Sequence, residues 1–307
     1  MNRLAVALVG VALVLAPMLT GTFEVTLLTQ ALVWSILALS VWLLLRVLGE
    51  ASFGHAAFFG VGAYVAGLAV VKWDVENVFV ALALGVAFAC AVALPIALVA
   101  ARLRGVAFLM ITLAFAEMLR ALAGRWKVLG GTDGLVGVTR PGAPFELFEP
   151  AAYYYFVLAI GAAVLLALFA FVRSPVGGVL AGIREGESRM AALGYNANAY
   201  RMLAFVVSAG IAGVAGVLNA YLHRFVDPGD VSALVSAKAL LMVVLGGATI
   251  LGPILGAFAL TVLEEVLSSH SERWLGVLGL IYVLVAVAAP SPGSLRVWFP
   301  RLLGQRT

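Results

Sequence analysis

Apolar runs long enough to cross a lipid bilayer fill most of this sequence and restrict it to one fold class. A transmembrane helix needs roughly 20 apolar residues, and charged residues make up only 11% of the chain, against about 25% in soluble domains. The pattern predicts an all-α, polytopic transmembrane helical bundle of about ten spans, forming a single domain over residues 1–307. The predicted spans are residues 4–20, 26–46, 53–71, 78–100, 106–122, 153–172, 202–222, 235–250, 253–269 and 274–290.

Three of these runs leave alternatives open. The 53–71 run is rich in Gly and Ala, so it is either a simple span or a broken, re-entrant one. The runs at 235–250 and 253–269 are separated only by a Gly-Pro step, so they form two spans, a re-entrant pair or one long kinked helix. At the N-terminus we expect 4–20 to be a retained span rather than a signal peptide, because no small-residue cleavage site follows it.

The distribution of Lys and Arg predicts the orientation of the bundle. Cytoplasmic loops of membrane proteins carry an excess of these residues. With the N-terminus inside, the cytoplasmic segments of this chain hold more Lys and Arg than the external segments do. The sequence therefore predicts cytoplasmic N- and C-termini, a cytoplasmic segment at residues 173–201 and an external loop at residues 123–152.

The polar segment, residues 173–201, is the longest polar interruption in the second half of the chain. Ser174 followed by Pro175 favours a helix start, because the Ser side chain accepts a free backbone N–H and Pro suits the first turn. Gly186 predicts a break, and Gly194 predicts the left-handed end of a second short helix. An apolar face with the i, i+3, i+4, i+7 spacing of a helix is formed by Val176, Val179, Leu180 and Ile183.

The opposite face of the polar segment is charged. Its charged residues are Arg184, Glu185, Glu187 and Arg189. We expect two short helices that lie on the cytoplasmic surface of the membrane, with the charge of Glu187 in solvent. A plain connection between two spans is the alternative.

Several motifs, in order along the chain, resemble those of the membrane permeases of branched-chain amino acid ABC importers. The polar segment reads Ser-Pro-x-Gly from Ser174, Ile-Arg-Glu-x-Glu from Ile183 and Ala-Leu-Gly from Ala192. The other matching stretches are Ser52–Tyr64, Thr112–Glu117, Gly131–Leu135 and Leu245–Ala257. The resemblance extends from about residue 26 to residue 290.

This resemblance implies a transport subunit with no catalytic site and no cofactor of its own. It implies a bacterial inner-membrane permease that pairs with a second permease, expected to be a different chain. Two cytoplasmic ABC ATPase subunits would bind the polar segment as a coupling segment, and an external, periplasmic substrate-binding protein would meet the 123–152 loop. A plain connecting loop is the alternative reading of residues 123–152.

The family motif assigns nine residues to contact with the ATPases. They are Ser174, Pro175, Gly177, Ile183, Arg184, Glu185, Glu187, Ala192 and Gly194. Three residues depart from the family pattern: Arg189 and Met190 replace small residues, and Lys238 stands in an apolar run.

Ionisable and aromatic side chains inside apolar runs are candidates for the translocation pathway. A charge at the bilayer centre costs roughly 2.5–3.5 kcal/mol, so its presence needs a reason. The candidates are His55, Phe58, Phe59, Tyr64 and Glu117. The alternatives are core packing for the aromatics and hydrogen bonds to neighbouring helices for His55 and Glu117.

Motifs of enzymes and of metal sites are missing from the sequence. It contains no Gly-Lys dipeptide, hence no Walker A loop, and its three histidines lack ligand spacing. A net charge of +4 gives no basis for a nucleic-acid partner. The leading hypothesis is an ABC importer permease for branched-chain or similar hydrophobic amino acids. A permease for urea, short amides or another small solute, and a stand-alone ion-coupled transporter, are the alternatives.

Overall fold

The computed structural model describes residues 13–18, 20–142, 144, 146–270, 276–277, 279–281 and 283. Nine α-helices of 14 residues or more lie within these residues. They are α1 (Thr22–Trp42), α2 (His55–Val71), α3 (Val78–Ala100), α4 (Gly105–Arg125), α5 (Pro150–Arg173), α6 (Pro175–Ala192), α7 (Ala197–His223), α8 (Ala233–Gly246) and α9 (Gly252–His270). A π-helical turn, Leu43–Leu48, extends α1. Two short strands, β1 (Leu135–Val136) and β2 (Phe225–Val226), pair antiparallel.

Six of the described helices are long and apolar enough to cross a membrane. They are α1 with its extension to Leu48, α3, α4, α5, α7 and α9, and α2 and α8 are shorter apolar helices. The all-α membrane fold is therefore confirmed. The count of about ten spans and the sidedness of the termini stay predictions. Most of the runs at 4–20 and 274–290 lies outside the described residues, although 13–18 is helical.

Small residues hold α2 and α7 in close contact at the centre of the bundle. A Cβ atom at Gly62 would lie 2.2 Å from the carbonyl oxygen of Gly213, and one at Gly216 would lie 1.8 Å from that of Phe59. Two backbones can pack this closely only where glycine leaves the space, as is common in membrane helices. The 53–71 run is thus one unbroken, deeply buried helix of 17 residues, a little shorter than roughly 20.

Helices α8 and α9 form an antiparallel hairpin. A Cβ atom at Gly256 would lie 1.9 Å from the carbonyl oxygen of Met242, near the turn. Farther from the turn, Lys238 forms an ion pair with Glu264 at 2.5 Å. The single kinked helix considered for residues 235–269 is therefore wrong: Gly247 adopts a positive φ of 86° and the chain reverses between Gly246 and Gly252.

The polar segment and the 123–152 loop lie at opposite ends of α5. This helix has 24 residues, which places its ends about 36 Å apart at 1.5 Å per residue. In this loop the side chain of Arg140 is buried. Its guanidinium donates to the carbonyl oxygens of Tyr221 at 3.0 Å and Leu147 at 3.2 Å and stacks over the ring of Tyr153 at 4.0 Å.

Candidate functional site

The polar segment folds from its local sequence signals. Ser174 caps α6, accepting the backbone N–H of Gly177 at 3.4 Å, and Pro175 occupies the first turn. The helix is interrupted at Gly186, where φ is −178° and ψ is 90°. Gly194, at a φ of 89°, follows its end. The start, the break and the stop that the sequence predicts are all present.

The first half of α6 is fixed by apolar packing. Val179, Leu180 and Ile183 are buried, and Val179 and Ile183 form a small cluster with Ala197 at the start of α7. Met190, one of the departures from the family pattern, packs on this cluster from beyond the break. The apolar face predicted from spacing therefore rests on the ends of the spans.

The second half of α6 is held by ion pairs through Glu187. Arg104 donates hydrogen bonds to this carboxylate from two nitrogens: Nη2 lies 2.5 Å from Oε1, and Nε lies 2.9 Å from Oε2. Arg201 Nη2 lies 3.0 Å from Oε2 of the same carboxylate. A bidentate Arg–carboxylate contact fixes direction as well as distance. Glu187 therefore does not lie free in solvent, which corrects the expectation from the sequence.

Arg201 extends these contacts to a second carboxylate. Its Nη1 lies 3.0 Å from Glu50 Oε1, and Glu50 Oε2 accepts the backbone N–H of Gly105 at 2.9 Å. We call Glu50, Arg104, Glu187 and Arg201 the ion-pair network. It joins the polar segment to the chain just after α1 and to the starts of α4 and α7.

Burial differs along the network. The side chains of Arg201 and Glu50 are 7% and 9% exposed, whereas those of Arg104 and Glu187 are 36% and 37% exposed. The hydrogen bond from Arg104 is the main reason that the pKa of Glu187 lies below its ordinary value, and the charge of Arg201 adds to it. Glu187 is therefore ionised at neutral pH.

Arg184 makes a separate contact on the other side of the break. Its Nη1 donates to the carbonyl oxygen of Arg46. Gly49, at a φ of 85°, lies beside it: a Cβ atom at residue 49 would be 3.1 Å from Arg184 Cγ. The polar segment thus contacts the end of the first described span both directly and through the network.

The nine residues that the motif assigned to ATPase contact divide into two groups. Those with exposed side chains or backbone are Pro175, Arg184, Glu185, Ala192 and Gly194. Gly177 and Ile183 are buried, while Ser174 and Glu187 are half-buried. The first group is accessible to a partner, and the second positions the segment.

The pathway candidates have different surroundings. Phe58 and Phe59 are buried core side chains, and buried His55 lies 2.7 Å from the hydroxyl of Ser208. Glu117 pairs with Arg120 at 2.7 Å and remains partly exposed. Tyr64 lines a cavity of about 300 Å³ near the 123–152 loop, and the apolar walls of this cavity include Trp73, Trp126 and Phe88. A pathway role for these residues stays a prediction.

Three of the four network residues were not selected from the sequence as site residues. Glu50, Arg104 and Arg201 are each charged and adjacent to a span end on the side of the polar segment, and that shared position is the signal that could have identified them. Among the described residues, no group of three or more His, Cys, Asp or Glu side chains could hold a metal ion.

Comparison with known proteins places this chain in a family. The model of the family described as branched-chain amino acid transport system, permease component, matches residues 24–288. Two curated relatives are the high-affinity branched-chain amino acid transport system permease proteins LivM of Salmonella typhimurium and Escherichia coli. They are 26% and 27% identical, over 93% and 92% of this chain and 73% and 72% of their own lengths.

A third relative has another substrate in its name. The autoinducer 2 import system permease protein LsrC of Klebsiella pneumoniae is 33% identical over 49% of this chain and 43% of its own length. No solved structure gives a significant match. Because the family model covers residues 24–288, the chain belongs to the family of permease components of branched-chain amino acid transport systems.

Proposed function

We propose that this chain is the permease subunit of a bacterial inner-membrane ABC importer that translocates branched-chain or similar hydrophobic amino acids. The observation that supports this proposal most strongly is the similarity to two LivM proteins over 92–93% of the chain. Separate cytoplasmic ATPase subunits would supply the energy, a second permease would complete the pathway, and a periplasmic binding protein would deliver the solute.

The polar segment is the proposed contact with the ATPases. It presents Arg184, Glu185 and Ala192 outward, while its buried face and the ion-pair network hold it against the spans. A partner that pushes on the outward face would act on the whole end of the bundle. Differential contact with two ATPase states could then bias the permease between two conformations.

The opposite end of the bundle is the proposed contact with the binding protein. A groove of about 450 Å³ opens there between the end of α4 and the turn after β2. Its walls carry Arg120, Arg125, Thr132 and Asp227. These charged and polar groups suit a hydrophilic protein surface. The exposed apolar faces of α4 and α5 suit lipid or the second permease.

A different small solute is the second candidate. LsrC, named for autoinducer 2 import, is 33% identical to about half of this chain, so related permeases carry solutes other than branched-chain amino acids. Urea and short amides belong to the same class of alternatives. The two LivM relatives favour the amino acids because their similarity extends over nearly the whole chain.

Affinity purification from mild detergent, followed by reconstitution in proteoliposomes, tests the proposal. We expect ATPase subunits and a second permease to co-purify with this chain. We expect uptake of labelled leucine to require ATP and a binding protein. Uptake driven by an ion gradient, with this chain alone and no ATP, would instead identify a secondary transporter. ATP-driven uptake of urea but not leucine would retain the class and change the substrate.

A further inference from the structure

The ion-pair network holds only one of the two halves of the polar segment. Before Gly186, α6 is fixed by the buried side chains of Val179, Leu180 and Ile183. After Gly186, the side-chain polar contacts from α6 to other elements, within the part of the chain that the structure describes, are those of Glu187 with Arg104 and Arg201. Beside the apolar packing of Met190 on Val179, Ile183 and Ala197, the second half of α6 is therefore joined to the spans through one carboxylate.

Stability alone does not explain such an arrangement. Replacing a buried ion pair by well-packed apolar residues is often neutral or stabilising, so a buried pair is weak evidence of a stabilising role. What an Arg between two carboxylates does provide is fixed geometry, because the guanidinium is a rigid planar fork. Arg201 uses its two terminal nitrogens on two different carboxylates, whereas a Lys ammonium would have to contact both from a single nitrogen and without a fixed plane.

The two ends of the network differ in a way that assigns them different roles. The Arg201–Glu50 contact is buried, and Glu50 also accepts the first backbone N–H of α4, from Gly105. The side chains of Arg104 and Glu187 are each more than a third exposed, so water can solvate both charged groups when their contact opens. The buried Arg201–Glu50 contact suits a permanent connection between the end of α1, α4 and α7. The more exposed Arg104–Glu187 contact suits an interaction that opens and closes.

We propose that Glu50, Arg104 and Arg201 are positioning residues that transmit displacement of the polar segment to α1, α4 and α7. The Arg201–Glu50 pair stays closed as a joint. The Arg104–Glu187 pair breaks and re-forms as the segment moves. This proposal rests on the proposed function, since it takes the ATPase subunits as the source of the displacement.

The test uses the complete complex with its ATPase subunits, reconstituted in proteoliposomes. The readout is the ratio of leucine taken up to ATP hydrolysed. The variants are Arg104→Gln, Glu187→Gln and the double variant, with Arg102→Gln and Glu76→Gln as matched controls. Both control side chains are exposed; Arg102 lies two residues from Arg104, and Glu76 lies between α2 and α3, outside the polar segment.

We expect each network variant to lower the ratio about fivefold or more, the usual range of a coupling free energy, while ATP hydrolysis continues. The double variant should lose no more than the worse single variant, because both changes remove one shared contact. The controls should stay within about twofold. The proposal would be overturned if the double variant lowered the ratio by the product of the two single effects. It would also be overturned if the controls lowered the ratio as much as the network variants do.

Arg201 is tested by Arg201→Lys, because Arg201→Gln leaves Glu50 buried without its partner and risks misfolding. We expect Arg201→Lys to assemble with the ATPases and to lower the ratio. If the network variants lose their ATPase subunits, the residues only fold the segment and the transmission role is wrong. If the unchanged complex shows no ATP-driven uptake, the proposed function fails first.

Discussion

The guanidinium of Arg201 lies between two carboxylates, 3.0 Å from Glu50 and 3.0 Å from Glu187. These residues come from three parts of the chain: the end of the first described span, the start of α7 and the polar segment. The Arg201–Glu50 contact is buried from water and the Arg201–Glu187 contact is partly open to it. Arg201 therefore connects the interior of the bundle, through Glu50, to its polar surface, through Glu187.

Removing Arg201 should destabilise the protein strongly. Arg201→Gln leaves the Glu50 carboxylate buried without its cation, which typically costs about 3–5 kcal/mol. Thermal unfolding in detergent measures the effect. Arg189→Gln is the matched control, because Arg189 is exposed and lies in the same end of the bundle. Equal melting temperatures of the two variants would show that the buried pair does not matter for stability.

Two adjacent glycines at the start of α6 should respond oppositely to alanine. A Cβ atom at Gly177 would lie 2.1 Å from the carbonyl oxygen of Val172, whereas one at Gly178 would have no neighbour within 4 Å. Overpacking typically costs about 1–3 kcal/mol, and Gly→Ala at an open helical site gains about 0.5–1 kcal/mol. We expect Gly177→Ala to unfold at a lower temperature than the parent protein and Gly178→Ala at the same or a higher one. The reverse order would contradict the close approach of Gly177 in α6 to the backbone of Val172 in α5.

The Lys238–Glu264 pair should behave as one unit that secures the α8–α9 hairpin. Lys238 Nζ lies 2.5 Å from Glu264 and 3.9 Å from the ring of Trp34 on α1. Lys238→Met leaves a carboxylate without this partner and should lower stability by about 3–5 kcal/mol, while Lys238→Met/Glu264→Gln should recover much of the loss. The measurement is a double-mutant cycle by thermal unfolding, with Glu265→Gln as control. Additive single effects would show that the pair does not couple.

Asp230 should make stability depend on pH. It lies in the turn Pro228–Val231, where burial and the nearby charge of Asp227 raise its pKa to about 7. Because this value lies above the ordinary pKa of about 3.9, the folded state favours the protonated acid. The stabilisation is complete below the ordinary pKa and is lost as the pH rises through about 7.

The check for Asp230 is thermal unfolding across this pH range in the parent protein, Asp230→Asn and Asp133→Asn. The parent and the exposed-site control Asp133→Asn should lose stability as the pH rises. Asp230→Asn, which cannot ionise, should show a flatter profile. A profile for Asp230→Asn that is as steep as that of the parent would assign the pH dependence to another group.

The sequence predicts the local structure of the polar segment because local chemistry determines it. Ser174 and Pro175 start the helix, Gly186 interrupts it and Gly194 follows its end through their own backbone preferences. The pairing of Glu187 with Arg104 could not be predicted in this way, since the two residues are 83 positions apart. Only the packing of the spans brings them together, and a charge near a span end looks the same whether it is paired or solvated.

The α8–α9 hairpin shows a second limit of sequence patterns. Residues 246–251 read Gly-Gly-Ala-Thr-Ile-Leu; the Gly-Gly step is a turn signal, but the apolar residues around it let the predicted span continue to residue 250. The sequence therefore placed the boundary at Gly252-Pro253, where α9 in fact begins. Proline is favoured in the first turn of a helix, so the same residue that predicts a kink also starts a new helix. Tertiary contacts decide between the two.

Site-specific photo-crosslinking tests most directly whether the polar segment is the contact with the ATPases. A photoreactive amino acid would replace Glu185, exposed on the polar segment, or Val136, 72% exposed in the loop at the other end of α5. In the assembled complex we expect position 185 to crosslink to an ATPase chain and position 136 not to. An intact complex in which position 185 gives no ATPase adduct, or in which both positions give one equally, would contradict the account.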